Sequence, residues 1–74
     1  MNIQTIVQNN VKRIRHEQER TQQEVADEAG IARAYLGRLE TQGRNISIEV
    51  LERLADTLGV KPADLISEPK EEDA

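Results

Sequence analysis

An all-α domain of five short helices is the fold this sequence predicts, and three observations predict it. Apolar residues recur at helical spacing along the chain, Gly30, Gly43 and Gly59 punctuate the periodic stretches, and no alternating run of β-branched residues is long enough for a strand. At 74 residues the chain makes one small domain.

The first helix spans residues 3 to 18, with Ile3, Ile6, Val7, Val11 and Ile14 on one stripe. Thr21 followed three residues later by Glu24 is a capping box, so a second helix starts there. It buries Val25, Ala26 and Ala29 and ends at Gly30, the residue type that accepts the left-handed conformation after a last turn. A third helix runs from Ala32 to Thr41 with Leu36 and Leu39 inward, and Gly43 breaks it. Ser47 caps a fourth, whose Ile48, Leu51, Leu54, Ala55 and Leu58 form a stripe that stops at Gly59. Pro62 suits a first helical turn, so residues 61 to 66 read as a brief fifth helix. The folded domain is expected over residues 1–66, and SEPKEEDA, residues 67–74, reads as a disordered acidic tail.

Composition excludes several function classes. The chain has no cysteine and a single histidine, His16, which removes disulfides, thiol nucleophiles and zinc sites, and no cofactor is expected. Ala34-Tyr35-Leu36 is the longest apolar run, far short of the roughly 20 residues that span a bilayer, and Met1-Asn2-Ile3-Gln4 does not open a signal peptide, so a cytoplasmic protein with no membrane partner is expected. No phosphate-binding glycine loop, nucleophile elbow or catalytic carboxylate pair is present, which argues against an enzyme. The net charge of -4 speaks against a nucleic-acid partner when read globally, but it is segregated: residues 1–20 and 33–44 each carry +2.

Residues 22 to 40, QQEVADEAGIARAYLGRLE, satisfy the packing rules of two helices crossing through a tight turn. Counting Gln22 as one, the fifth position must be small and is Ala26, and the ninth must accept positive φ and is Gly30. The five positions that must be buried are Val25, Ala29, Ile31, Leu36 and Leu39.

Over residues 7–66 the chain resembles the Cro/C1 (XRE-type) helix-turn-helix family, through Arg15, Thr21-Gln22, Val25-Ala26, Leu39-Glu40 and the segment from Ser47-Ile48 to Gly59-Val60. Within that family ARAYLGRLETQGRNIS is similar to restriction-modification controller proteins, with R-x-Y-L in the recognition helix and R-N-x-S in the loop after it. Glu19-Arg20 departs from the usual glycine and apolar residue, and Gln42 stands where glycine is common. The resemblance implies a lambda-repressor-like five-helix DNA-binding domain that regulates transcription. It also implies an internal ion pair between Arg15 and Glu40, and RNA polymerase as a candidate partner of Asp27 on the second helix, where the plainer reading of Glu24, Asp27 and Glu28 is a solvated acidic face.

In such a domain the first turn of the third helix enters the major groove, which makes Arg33, Ala34, Tyr35 and Arg38 the candidate base readers. Arg33 can donate two hydrogen bonds to a guanine edge and Ala34 offers a surface to a thymine methyl, while Tyr35 is alternatively a half-buried ring and Arg38 a solvated charge. Gln22 at a helix start, together with Arg44 and Asn45 in the following loop, are the candidate phosphate contacts; the plain alternatives are an exposed helix start and a solvated turn. Ile48, Val50, Leu54, Leu58, Val60, Leu65 and Ile66 exceed what one small core needs, so some of them are expected in a homodimer interface. With no second domain, no small-molecule effector is expected. The expected function is a homodimeric operator-binding regulator, a restriction-modification controller in the first instance. A plain repressor, a toxin-operon antidote, or a helical protein-interaction module without DNA binding are the alternatives.

Overall fold

The computed structural model describes residues 2–42 and 46–69, and in them the chain forms α1 (Ile3–Glu17), α2 (Gln22–Ala29), α3 (Arg33–Gln42), α4 (Ile48–Leu58) and α5 (Pro62–Ile66), with no strand among the described residues. Side-chain caps set three of the starts. Asn2 Oδ1 accepts from the Gln4 amide at 2.8 Å, Thr21 Oγ1 from Glu24 at 3.0 Å and Ser47 Oγ from Val50 at 3.1 Å. The Thr21 amide in turn donates to Glu24 Oε1 at 2.9 Å, which completes the capping box. Gly30 and Gly59 close α2 and α4 in the left-handed region, at φ 74° and 73°.

The core forms where the apolar stripes of these helices converge. Val7, Val11 and Ile14 of α1 meet Leu36 and Leu39 of α3 and Leu65 of α5; Val25, Ala26 and Ala29 of α2 pack between α3 and the Leu54, Ala55 and Leu58 side of α4. Ile31, expected to be buried in the turn, is half-buried. Two expected core residues lie outside: Ile3 is 57% and Ile48 83% exposed. Each is the first residue of its helix, where the side chain tilts back beyond the N-terminal end and past the edge of the core.

Two polar devices tie the ends together. The turn between α1 and α2 places Glu19 at φ 57°, a left-handed position at which the resembling family has glycine. Arg20 beside it is half-buried, yet it needs no apolar pocket: Nη1 donates to the Thr57 carbonyl at 2.8 Å and Nη2 pairs with Glu28. Gln18 Nε2 donates to the Leu58 carbonyl at 2.7 Å, so the last carbonyls of α4 are capped by the first turn. At the other end Asn10, 1% exposed, points Nδ2 at the carbonyls of Leu65 (2.9 Å) and Ser67 (2.8 Å) and holds the end of α5 against α1. A five-residue helix has no stability alone, and this bond and buried Leu65 are what fix it. Of the expected tail, Ser67 to Pro69 is exposed and residues 70–74 lie outside the described residues.

Candidate nucleic-acid interface

The helix pair that presents the site is set by small residues. Ala26 is fully buried where α2 faces α3, and Gly30 then lets the chain reverse, with the Ile31 amide donating to the Ala26 carbonyl at 3.0 Å. Leu36 and Leu39 face inward from α3, which turns the opposite side of that helix to solvent. Arg33, Ala34 and Arg38 are exposed there, Arg33 and Ala34 in the first turn and Arg38 one turn on. Tyr35 is half-buried with its ring against the core, the plainer of its two expected placements.

Behind this face lies one charged pair. Arg15 Nε donates to Glu40 Oε2 at 2.7 Å and Nη2 to Oε1 at 2.8 Å, with the two side chains 9% and 1% exposed. Arg15 Nη1 also donates to the Arg20 carbonyl at 2.8 Å, and His16 Nε2 lies 3.1 Å from Nη2, where only its acceptor lone pair suits an arginine that can only donate. Burial alone would push the Glu40 carboxyl up; the hydrogen bonds from Arg15 and Gln22 and the adjacent positive charge outweigh it and hold the group below its ordinary value of 4.5. Hydrogen bonding to Glu40 outweighs burial for Arg15 as well and holds its proton more tightly than in water.

The pairing changes what the charge count means. In the first basic segment Arg13 pairs with Glu17, Arg15 with Glu40 and Arg20 with Glu28. The positive excess of that segment is thereby taken up by Glu40 and Glu28. On α3 the balance moves the other way, because Glu40 is neutralised from behind and Arg33 and Arg38 dominate the outer face.

Gln22, expected to contact phosphate, is half-buried at the start of α2 and bonded in two directions. Its Nε2 donates to Glu40 Oε1 at 3.0 Å, and its Oε1 accepts from Arg33 Nη1 at 3.3 Å. Arg44 and Asn45 lie outside the described residues.

A helix at this position, exposing an arginine in its first turn and docked by its inner leucines on a capped partner helix, has the arrangement that reads a major groove. The sequence profile of the helix-turn-helix family matches residues 11–65. The chain belongs to the Cro/C1-type helix-turn-helix family. Its members are DNA-binding transcription regulators and not enzymes. This helix-turn-helix chain is 36% identical over 67 residues to the HTH-type transcriptional regulator y4dJ of Sinorhizobium fredii, covering 90% of this chain and 87% of that protein. It is 32% identical over 66 residues to the control protein C.BamHI of Bacillus amyloliquefaciens, covering 88% and 82%. The crystal structure of the restriction-modification controller protein C.AhdI of Aeromonas hydrophila superposes with a TM-score of 0.79 at 26% identity, covering 84% of this chain and 94% of that one.

The remaining sites of this regulator divide by burial. Leu54, Leu58 and Leu65, expected among the dimer residues, are 0%, 3% and 0% exposed inside the protomer's own core and have no surface left for a partner. Val50 and Val60 are half-buried, while Ile48 and Ile66, at 83% and 40%, remain exposed. These two, with Ile3, Val7, Ile46 and Leu51, line an apolar groove of about 280 Å³. Asp27 is exposed on α2 beside the interface, its carboxylate accepting from Gln23 Nε2 at 2.8 Å. Sequence reasoning missed Asn10, although a polar residue inside the apolar stripe of α1 was a signal, and it missed the bonds of Arg20, which no periodicity announces. Among the described residues no cluster of acidic or histidine side chains could hold a metal ion, and no helix is long and apolar enough to cross a membrane.

Proposed function

We propose that this regulator binds a near-palindromic operator as a homodimer, and that it controls its own promoter in the manner of a restriction-modification controller. The observation that carries the reading is the exposed first turn of α3, where Arg33 stands at the surface with no acidic partner among the described residues and donates to the Gln22 carbonyl oxygen at 3.3 Å. An arginine so placed can donate two hydrogen bonds to guanine O6 and N7, and Ala34 beside it fits a thymine methyl. The apolar groove around Ile48 and Ile66 supports a two-fold contact. Two-fold symmetry then sets the half-site centres about 34 Å apart along the duplex. The similarity to C.BamHI and C.AhdI supports the controller reading, and a plain repressor of the same fold is the alternative.

The test is a salt-titrated binding assay of the purified chain against the DNA upstream of its own gene, with a scrambled duplex as control. Saturable binding by two chains per site, at least about a thousandfold tighter than to the control, supports the proposal. Equal weak binding to both duplexes removes it. Asp27, exposed beside the interface, is the residue proposed to touch RNA polymerase. Asp27→Ala retaining operator binding while losing activation supports that contact, and unchanged activation rules it out.

A further inference from the structure

Three of the longer helices start from a side chain: Asn2, Thr21 and Ser47 each offer an oxygen to the first turn that follows. α3 has no such start. Ala32 stands before it with no side-chain acceptor, its first turn carries Arg33 and no acidic residue to complement the helix dipole, and Gly37 weakens it further along. The turn that precedes it is held from two helices. The Gly30 and Ile31 amides donate back to the Asp27 and Ala26 carbonyls of α2 at 3.3 and 3.0 Å, and the Gly30 carbonyl accepts from Arg53 Nη1 of α4 at 3.4 Å. Arg53 Nη2 pairs with Glu49 at 3.0 Å, and a Cβ built at Gly30 would lie 3.5 Å from Nη1, so the guanidinium lies against the turn itself. It also meets a charge requirement. α2 carries Asp27 and Glu28 near its end and no basic residue in its last turn, and the cation that the C-terminal end of a helix favours comes from Arg53 on another helix.

We infer that Arg53 of α4 is a positioning residue for base reading: by holding the Gly30 carbonyl it fixes the turn from which the uncapped α3 starts, and with it the setting of Arg33 and Ala34. The inference rests on the DNA-reading proposal above and deepens it. A first turn without a cap opens more readily than the rest of its helix, and a tether on the residues before it limits that opening from outside. Leu36 and Leu39 hold the later part of α3 on the core, so the opening is confined to the turn that carries Arg33 and Ala34. Only the closed turn presents those two side chains together, and a protein closed in about one molecule in five binds its site about fivefold more weakly. Arg53 acts on DNA through the turn and not by touching it.

The experiment compares the full chain as wild type, Arg53→Met, Ala32→Ser and the double variant. Ala32→Ser puts a capping hydroxyl where α3 begins, so it supplies from within what Arg53 supplies from α4. Two quantities are read: amide exchange at Tyr35 and Leu36, whose N–H groups bond the Ala32 carbonyl, and salt-titrated binding to the best duplex from in vitro selection beside a scrambled one. Arg53→Met is expected to speed exchange at both amides and to weaken binding to the best duplex about fivefold, with binding to the scrambled duplex held within about twofold and the salt slope unchanged. Ala32→Ser is expected to restore both quantities in the Arg53→Met background and to change the wild type less. Exchange at Tyr35 and Leu36 that Arg53→Met leaves unmoved overturns the inference. Equal weakening on both duplexes, with a salt slope smaller by about one, makes Arg53 a phosphate contact and overturns it as well. So does an Ala32→Ser effect of the same size in both backgrounds. Each of these three leaves the DNA-reading proposal standing, whereas wild-type protein that enriches no sequence overturns that proposal and the inference with it. Should Arg53→Met fail to fold, Arg53→Gln, shorter and uncharged with good helix propensity, is read in the same cycle.

Discussion

Arg15 and Glu40 face each other through two parallel hydrogen bonds of 2.7 and 2.8 Å across 25 residues of chain, and they fasten the end of α1 to the end of α3. The pair sits behind the exposed face of α3 without being part of it. Removing one member leaves the other as a buried charge, so Arg15→Ala is expected to lower stability by about 3 kcal/mol. For a domain of this size, with a total of roughly 4 to 11 kcal/mol, that is a large fraction. Urea unfolding at neutral pH measures it, and selection of bound duplexes should return the wild-type base preference for whatever protein remains folded. A shifted preference with unchanged stability would place Arg15 at the DNA instead.

Acid should weaken the fold through the same pair. Glu40 titrates below its ordinary value of 4.5 in the folded chain, so the unfolded chain takes up the proton first. The stabilisation is therefore complete above about pH 4.5 and is lost as pH falls from there through the depressed folded value. Denaturation followed between pH 6 and pH 3 checks this, with Glu40→Gln expected to be less stable at neutral pH and to lose less stability on acidification. An equal acid slope in wild type and Glu40→Gln would assign the loss to other carboxylates.

What was legible in the sequence was local. Thr21 and Glu24 are three residues apart, Gly30 marks its own turn, and Leu36 and Leu39 share a face by spacing alone, so the helix pair and the exposed face of α3 could be written down before any coordinates. Arg15 and Glu40 were legible through family resemblance and not through spacing. What was hidden depends on partners distant in the chain: Gln22 meets Arg33 and Glu40 at separations of 11 and 18 residues, and Arg20 meets Thr57 at 37. Polar side chains choose partners by donor and acceptor chemistry, which leaves no periodic trace. Apolar periodicity misled at the helix starts, where Ile3 and Ile48 continue the stripe on paper and overshoot the core in space.

Glu19 is the strained point of the first turn. At φ 57° an L residue with a Cβ is disfavoured by about 1 to 2 kcal/mol relative to its usual conformations, and glycine is not. Its neighbours hold it there, with the Arg20 amide bonded to the Arg15 carbonyl at 3.2 Å and Arg20 reaching α4 and Glu28. Glu19→Gly is expected to raise stability by about 1 kcal/mol, seen as a higher Tm, at no cost to operator binding. A lower Tm would show that the entropy of the unfolded glycine outweighs the relieved strain.

Asn10 carries the end of α5. Asn10→Ala leaves the Leu65 and Ser67 carbonyls without that donor in a largely buried position, at an expected cost of about 1 to 3 kcal/mol. The effect should be local first: amides of α5 are expected to gain more in exchange rate than those of α2 and α3, whose residues take no part in the side-chain hydrogen bonds of Asn10. Uniform acceleration across all five helices would mean that α5 is not a separable unit and that the core unfolds as one.

Ile48 offers the sharpest test of the assembly, because its exposure separates folding from association. At 83% exposed it adds little to the protomer's own core, so Ile48→Glu should change monomer stability by no more than about 0.5 kcal/mol. In the proposed dimer the same substitution sets a charge into the apolar groove it shares with Ile3, Leu51 and Ile66 and, by two-fold symmetry, does so twice. Sedimentation equilibrium at micromolar concentration is expected to show a dimer for the wild type and a monomer for Ile48→Glu, with operator affinity falling in step. An unaltered dimer in the variant would move the two-fold contact away from this groove, and a wild-type monomer at those concentrations would overturn the proposed dimer itself.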